Sequence, residues 1–443
     1  MASHVFGDDN DKVVANEQEL VNEEEESEND SSESDEDESD WSESESEESE
    51  DSTDYELELE DDKPEDKDEE PVPARDKDAG PKSDDNKSNF PLWKLPCLAR
   101  SLVTRLMEPY EVIELTMVSI PFKKFMMTFK LPDVALKFKF RESRPIGWHR
   151  GHLRQNNFGI DLGFPNRRGI SLVFPFPKKT FAGVRRNVNG KPMLVENCDG
   201  HFVFGGHRKM KKKMKYMERM ATHLTEVCRV TKYSLEYDGG VEKLKLFKCF
   251  VWNFVKKFDK IKIGCKYIEF GMTRDQVRFL LNNVKCDKVV LNVLVFGKVK
   301  DLQIKSKILV VGDEGDWLTV DSIIESECEK VIGEIGQEKP SKTAKLVKKW
   351  QTGKKLTNLK KLKLTLRGDQ SPALEIIDKL DGVEMLTKTE ERVLKKSEMG
   401  SRFPPGRLRK IRRATDGKIA VLGVHERCVE MRVLENEDPL KKF

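Results

Sequence analysis

The first 89 residues carry about 38 acidic against 7 basic side chains, in runs such as EEEESENDSSESDEDESDWSESESEESEDSTDYELELEDD. So little apolar surface cannot offset the entropy of ordering a chain, and residues 1–89 are expected to form a disordered, acidic, Ser-rich tail. The formal net charge of the whole chain is zero. The remaining residues therefore hold 41 acidic and 72 basic side chains, so a tail near −31 is joined to a body near +31. A body that basic attracts anions, whether nucleic acid or acidic protein.

The first apolar block follows at once, FPLWKLPCLARSLVTRLMEPYEVIELTMVSIPFKKF at residues 90–125. Leu95, Leu98, Leu102 and Leu106, then Val112, Leu115 and Val118, recur at three- and four-residue spacing, which predicts two short helices each with one apolar stripe. Pro96 suits a first helical turn, and Pro109 opens the second helix after a turn at Met107 and Glu108. Ser119 before Pro121 repeats the device, with FKKFMMTF as a third helix. Three helices of this size cannot bury their own apolar faces. For most amphipathic stripes the rest of the same chain supplies the cover.

Beyond residue 130 the pattern turns to strands. VALKFKF alternates as a half-buried strand does, and ISLVFPF and GHFVFGG read as further strands, so residues 131–206 form a strand-rich segment. From residue 207 to 443 helices and strands alternate. HRKMKKKMKYMERMATHLTEVCRV has helical spacing, with Met210, Met214, Met217, Leu224 and Val227 on one face. TKYSLEY reads as strand, VEKLKLFKCFVWNFVKKF as helix, IKIGCKYIEFG as strand, and TRDQVRFLLNNV as a helix capped by Thr273. KVVLNVLVFG and DLQIKSKILVVG are expected strands, WLTVDSIIES a helix, KVIGEIG a strand, SKTAKLVKKWQTG a helix and LKKLKLTLRG a strand. DGKIAVLGVHERCVEMRVL closes the chain as a β-hairpin. Strands recurring every 18 to 30 residues or so match leucine-rich-type solenoids, although an open α/β sheet satisfies the same alternation. The expected fold class is α+β or α/β, with three N-terminal helices and an irregular strand-helix body.

Leu95-Pro96, Leu98, Leu102, Leu106, Pro109, Val112, Leu115 and Val118-Ser119 together resemble an F-box, at residues 90–130. Downstream, Asp316, Trp317, Leu318 and Thr319 resemble the Trp-Leu-Thr signature of the nematode F-box-associated domain (type 2). Trp350 and Gly353 in AKLVKKWQTGKKLTNLKKLKL are similar to the helix, turn and strand that follow it, and DGKIAVLG to its closing hairpin. The resemblance implies that the F-box residues bind a Skp-type adaptor, and through it a cullin, in a ubiquitin ligase. The body would bind a target protein. Pro121 and Phe122 depart from the basic-aromatic run common in F-boxes, and the tail lies outside the shared region.

Other chemistry is sparse. Eight cysteines without a CxxC pair read as reduced thiols. His149 and His152 in GWHRGHLR lack a third ligand, and Asp313, Glu314 and Asp316 sit in a Gly-rich turn with no partner implying acid-base work. No phosphate-binding loop or nucleophile elbow occurs. No active site, metal or cofactor is expected, and the chain reads as a binding module. The basic runs RKMKKKMK at 208–215 and RLRKIRR at 407–413 have few interleaved aromatics and read as solvated helix or loop surface. Trp317 and Trp350 read as core. With no leader pattern in MASHVFGDDN and no run of some eighteen apolar residues, cytoplasm or nucleus is the expected setting and no membrane partner is expected. A second functional reading stays open: a nuclear histone-chaperone-like or nucleic-acid-binding protein, using the acidic tail or the basic body.

Overall fold

The computed structural model describes residues 92–141, 157–174, 183–198, 201–205, 210–238, 245–264, 271–312, 315–336, 338–367, 374–395, 399, 402–404, 406–425 and 427–434. The acidic tail, His149, His152, Arg208, Cys265, Asp313 and Glu314 lie outside these residues.

After a single 3-10 turn at Leu92–Lys94 come three ten-residue helices, α1 (Cys97–Leu106), α2 (Pro109–Val118) and α3 (Ile120–Phe129). Their limits follow from local chemistry. Pro96 precedes α1 with an extended backbone, and Pro109 occupies the first turn of α2, where its missing N–H costs nothing. Glu108 and Glu111 close a capping box at the start of α2. The Ser119 hydroxyl accepts from the Phe122 N–H and caps α3.

One residue later begins β1 (Leu131–Arg141), followed by β2 (Asn157–Phe164), β3 (Arg167–Val173), β4 (Val184–Val188), β5 (Lys191–Cys198) and β6 (His201–Phe204). Among the described residues of 131–206 the regular elements are these six strands. Next come α4 (Met210–Val227), β7 (Cys228–Tyr237), α5 (Val251–Phe254), β8 (Phe258–Ile263), α6 (Arg274–Arg278), β9 (Cys286–Leu291), β10 (Ile308–Val311), α7 (Val320–Ile324), β11 (Lys330–Ile335), α8 (Pro340–Gln351) and β12 (Lys361–Leu366). The chain continues through α9 (Leu374–Asp378), β13 (Glu384–Met385), α10 (Lys388–Lys395), β14 (Leu408–Arg412), β15 (Ile419–His425) and β16 (Cys428–Val433).

The fold is mixed α+β. The sixteen strands of the described residues join one sheet, in the order β13-β14-β15-β16-β12-β11-β10-β9-β8-β7-β1-β2-β3-β6-β5-β4. Its centre is parallel: β1, β7, β8, β9, β10, β11 and β12 all run the same way, and from β7 to β12 each strand neighbours the next in sequence. The expected C-terminal hairpin is the antiparallel β15–β16 pair. Along the parallel strands alternate residues are buried, among them Leu235, Tyr237, Ile261, Ile263, Val289, Leu291, Leu309, Val311, Val331, Ile335, Leu362 and Leu364. They share one core with Trp317 and Trp350. The opposite face of the sheet is therefore set by the other half of each strand.

The strands come close where the chain needs room. At Gly264, just past β8, φ is +95° and an added Cβ would stand 1.8 Å from the Asn292 carbonyl oxygen. Only glycine fits this approach of two neighbouring strand ends.

The helix expected through residue 230 ends at Val227, where β7 takes over, and three further expectations are corrected. The helix expected over residues 241–258 is a 3-10 turn at Leu246–Lys248 and the four residues of α5, with residues 241–244 outside the description. Aromatic packing decides this: Phe250 and Phe254 meet Phe138 edge-on, and Trp252 stacks on Phe247. The basic run at 407–413 is neither helix nor loop over most of its length, because Leu408–Arg412 is strand β14, paired with β15. The strand expected from DLQIKSKILVVG is confined to Ile308–Val311, and the preceding residues 300–307 form no strand.

Candidate functional site

The structure turns α1 inside out. Ser101 and Thr104 are its buried residues, with the Thr104 hydroxyl donating to the Arg100 carbonyl at 2.8 Å. Leu98, Leu102 and Leu106 face outward and are 75, 54 and 84% exposed. They lie four residues apart, on one side of the helix. The two following helices do the reverse: Val112, Ile113 and Met117 of α2 and Phe122, Phe125 and Met126 of α3 are buried in the main core.

The nine residues picked out in this module thus divide. Leu98, Leu102 and Leu106 form the exposed row, and Val118 and Pro96 are also exposed. Leu95 and Leu115 are half-buried, whereas Pro109 and Val112 are buried and serve the protein's own core. The apolar period was readable in the sequence, but the outward direction of the α1 row was not.

Polar contacts fix this module to the sheet. The Arg167 guanidinium donates to the carbonyls of Met107 and Arg105 at 2.9 and 2.5 Å, closing the end of α1. Glu114 of α2 accepts from Arg186 at 2.8 Å and from Asn197 at 3.0 Å. Deeper, Thr116 Oγ1 meets His223 Nε2 at 2.9 Å, and His223 Nδ1 meets Asn189 Oδ1 at 3.1 Å. Lys123 bonds to the same Asn189 oxygen and pairs with Glu226. Burial, and then the Lys123 charge, push the His223 pKa down to about 3, so the imidazole is neutral. The Thr116 hydroxyl, whose one hydrogen donates to the Ile113 carbonyl at 2.6 Å, and the Asn189 oxygen, which accepts from Lys123, lie on either side of the neutral ring. At the start of α1 the Arg100 guanidinium lies over the rings of Trp93 and Phe125.

The other residues singled out in the sequence are structural. Trp317 and Trp350 are fully buried. The Arg413 guanidinium lies 5.3 Å from the Trp350 ring, forks onto Asp416 through Nε at 2.7 Å and through Nη2, and donates to the Thr357 carbonyl at 2.9 Å. Leu318 is buried, and the Thr319 side chain caps α7 by accepting from the Ser322 N–H. Asp316 pairs with Arg367 at 2.9 Å.

The two basic runs are weaker patches than their sequences suggest. Arg413 is buried in its fork, and Lys213 is buried against the Phe158 ring, its pKa lowered by burial to about 8. Among the described residues no cluster of three potential metal ligands occurs, and no helix is long and apolar enough to cross a membrane.

Comparison with known proteins brings no relative: no family model, no curated protein and no solved structure matches this chain.

Proposed function

We propose that this protein is a substrate-recognition adaptor of a Skp-cullin-F-box ubiquitin ligase, a binding module rather than an enzyme. In this reading α1 to α3 are the F-box and dock on a Skp-type adaptor. The sheet, read as an irregular leucine-rich-type body, captures the protein to be modified. The observation that carries it is the inverted helix α1. Folded chains hide leucines spaced four apart, and this one buries a serine and a threonine while presenting the leucines to solvent. A protein partner that covers the row repays that exposure. The rigid staples from Arg167, Glu114 and His223 suit such a role, since a fixed angle between adaptor and body holds a captured target's lysines near the transferring enzyme.

The test is co-purification of the full chain with a Skp-type adaptor, against the variant Leu98→Ser/Leu102→Ser/Leu106→Ser. Truncating buried anchors at an interface commonly costs about 2 kcal/mol or more each, so the triple variant should lose the complex. Equal recovery of the adaptor with parent and variant refutes the docking role of α1.

The basic body favours a second reading, as a nucleic-acid-binding protein of the nucleus. It requires binding to DNA or RNA that falls steeply with salt and is indifferent to the α1 leucines.

A further inference from the structure

The open face of the parallel sheet carries charge in register. Starting on β7, one row runs Ser234, Lys260, Lys288, Ile308, Lys330, Lys361, Arg432, each directly paired with the next across β8, β9, β10, β11, β12 and β16. The row two residues on runs Glu236, Lys262, Val290, Val310, Ile332, Lys363, Glu430. Val290, Ile308, Val310 and Ile332 are half-buried in the middle, and the lysines stand on both sides of them.

The lysines are not edge guards. Charged residues that keep sheets apart belong on edge strands, and these lie on interior strands of a sixteen-stranded sheet. They also stand opposite one another, Lys260 against Lys288 and Lys330 against Lys361, an arrangement that costs stability. Among the described residues Lys260, Lys288, Lys330 and Lys363 have no ion pair, whereas Lys262 is held by Glu236 and Lys361 by Glu430.

We propose that this face binds an acidic polypeptide segment with apolar side chains at its centre. The anion follows from the four lysines that have no ion pair among the described residues. The polypeptide follows from the apolar middle: an apolar centre with a charged rim is the anatomy of a protein interface. Neither row holds an aromatic side chain, the platform on which single-stranded nucleic acid stacks. Spacing sets the ligand's pattern. Lys260 and Lys363 are four strands apart, about 19 Å across the strands, which an extended chain laid that way covers in about six residues. Carboxylates would thus flank an apolar run of four or five residues. The proposal rests on the reading that the body captures a protein target, and is independent of what α1 binds.

The test uses the full chain and a fluorescein-labelled peptide with two glutamates on each side of a Val-Ile-Val-Leu core. Two comparison probes are the same peptide with a Ser-Gly-Ser-Gly core and a single-stranded DNA of equal charge. Saturable binding of the first peptide is expected, weakened about tenfold or more by Lys288→Gln/Lys330→Gln/Lys363→Gln and separately by Val310→Ser. Neither variant removes a side chain of the main core, so the melting temperature should stay near the parent's, which is checked alongside. Absence of binding, equal affinity for the Ser-Gly core, or unchanged affinity in both variants overturns the proposal. Tighter binding of the DNA overturns it in favour of a nucleic-acid surface. Adaptor recovery by the same lysine variant separates the two readings, because it depends on α1 alone.

Discussion

Thr116 Oγ1 and His223 Nε2, 107 positions apart in the chain, meet at 2.9 Å where α2 crosses α4. This contact makes the junction between the helical module and the sheet sensitive to acid. His223 is neutral in the folded protein with its pKa lowered to about 3, below its ordinary value of 6.5. A group that binds its proton less readily when folded contributes stability that is complete above the unfolded pKa and is lost as pH falls below it. Between about pH 6.5 and 3 the protein should lose up to about 1.4 kcal/mol per pH unit from this residue. Urea melts at pH 7.5, 6 and 5 test this. The variant His223→Gln should be less stable at pH 7.5 yet show a flatter profile; a slope as steep as the parent's would place the titration elsewhere.

Arg413 and Trp350 form a second junction, between β14–β15 and α8. Replacing Trp350 by alanine empties a fully buried volume and should cost about 3–5 kcal/mol. Arg413→Lys keeps the charge but cannot make the two-nitrogen fork to Asp416 and also reach the Thr357 carbonyl. It should cost about 1–3 kcal/mol, read as a lower urea midpoint with unchanged slope.

The sequence revealed most where local chemistry decides. Pro109 by its fixed φ, and Ser119 and Thr273 by side-chain oxygens that accept from N–H groups three residues on, mark helix starts, and the structure places helices there. The segment 241–258 misled because Phe247, Phe250, Trp252 and Phe254 sit near helical spacing while serving separate ring contacts. At Cys228 strand β7 begins directly after α4 with no glycine or proline to announce it, so the expected helix ran too far. The α1 leucines were legible as a stripe, but which way a stripe faces depends on what packs against the other side. His223 gave no signal, since its partners Thr116 and Asn189 lie far off in sequence. The lysine rows were equally hidden, because they exist only through the register of strands some twenty to thirty residues apart.

Gly264 offers a test of the sheet register itself. An added Cβ would collide with the Asn292 backbone, and the positive φ disfavours any other residue. Gly264→Ala should separate the ends of β8 and β9 and cost several kcal/mol, of the order of other strained buried positions. Hydrogen exchange should quicken first at Asn292, whose N–H donates to the Ile263 carbonyl at 2.9 Å. Parent-like stability and exchange would contradict this pairing.

The helical module makes the sharpest contrast. Val112 and Met117 face the core of the chain, whereas Leu102 and Leu106 face solvent, so the two pairs should respond in opposite ways to truncation. Val112→Ala with Met117→Ala removes fully buried side chains and should cost about 2 kcal/mol or more, with adaptor binding reduced only as the fold weakens. Leu102→Ser with Leu106→Ser removes nothing from the core. Its melting temperature should stay within the small range usual for surface changes, and its binding of a dye that reports exposed apolar surface should fall. Adaptor recovery, measured at a temperature where both variants are folded, should then be lost in the leucine pair and kept in the core pair. Recovery that follows the melting temperature in both variants, with no separate effect of the leucines, would make the α1 row incidental and leave the module as a packing element of the sheet.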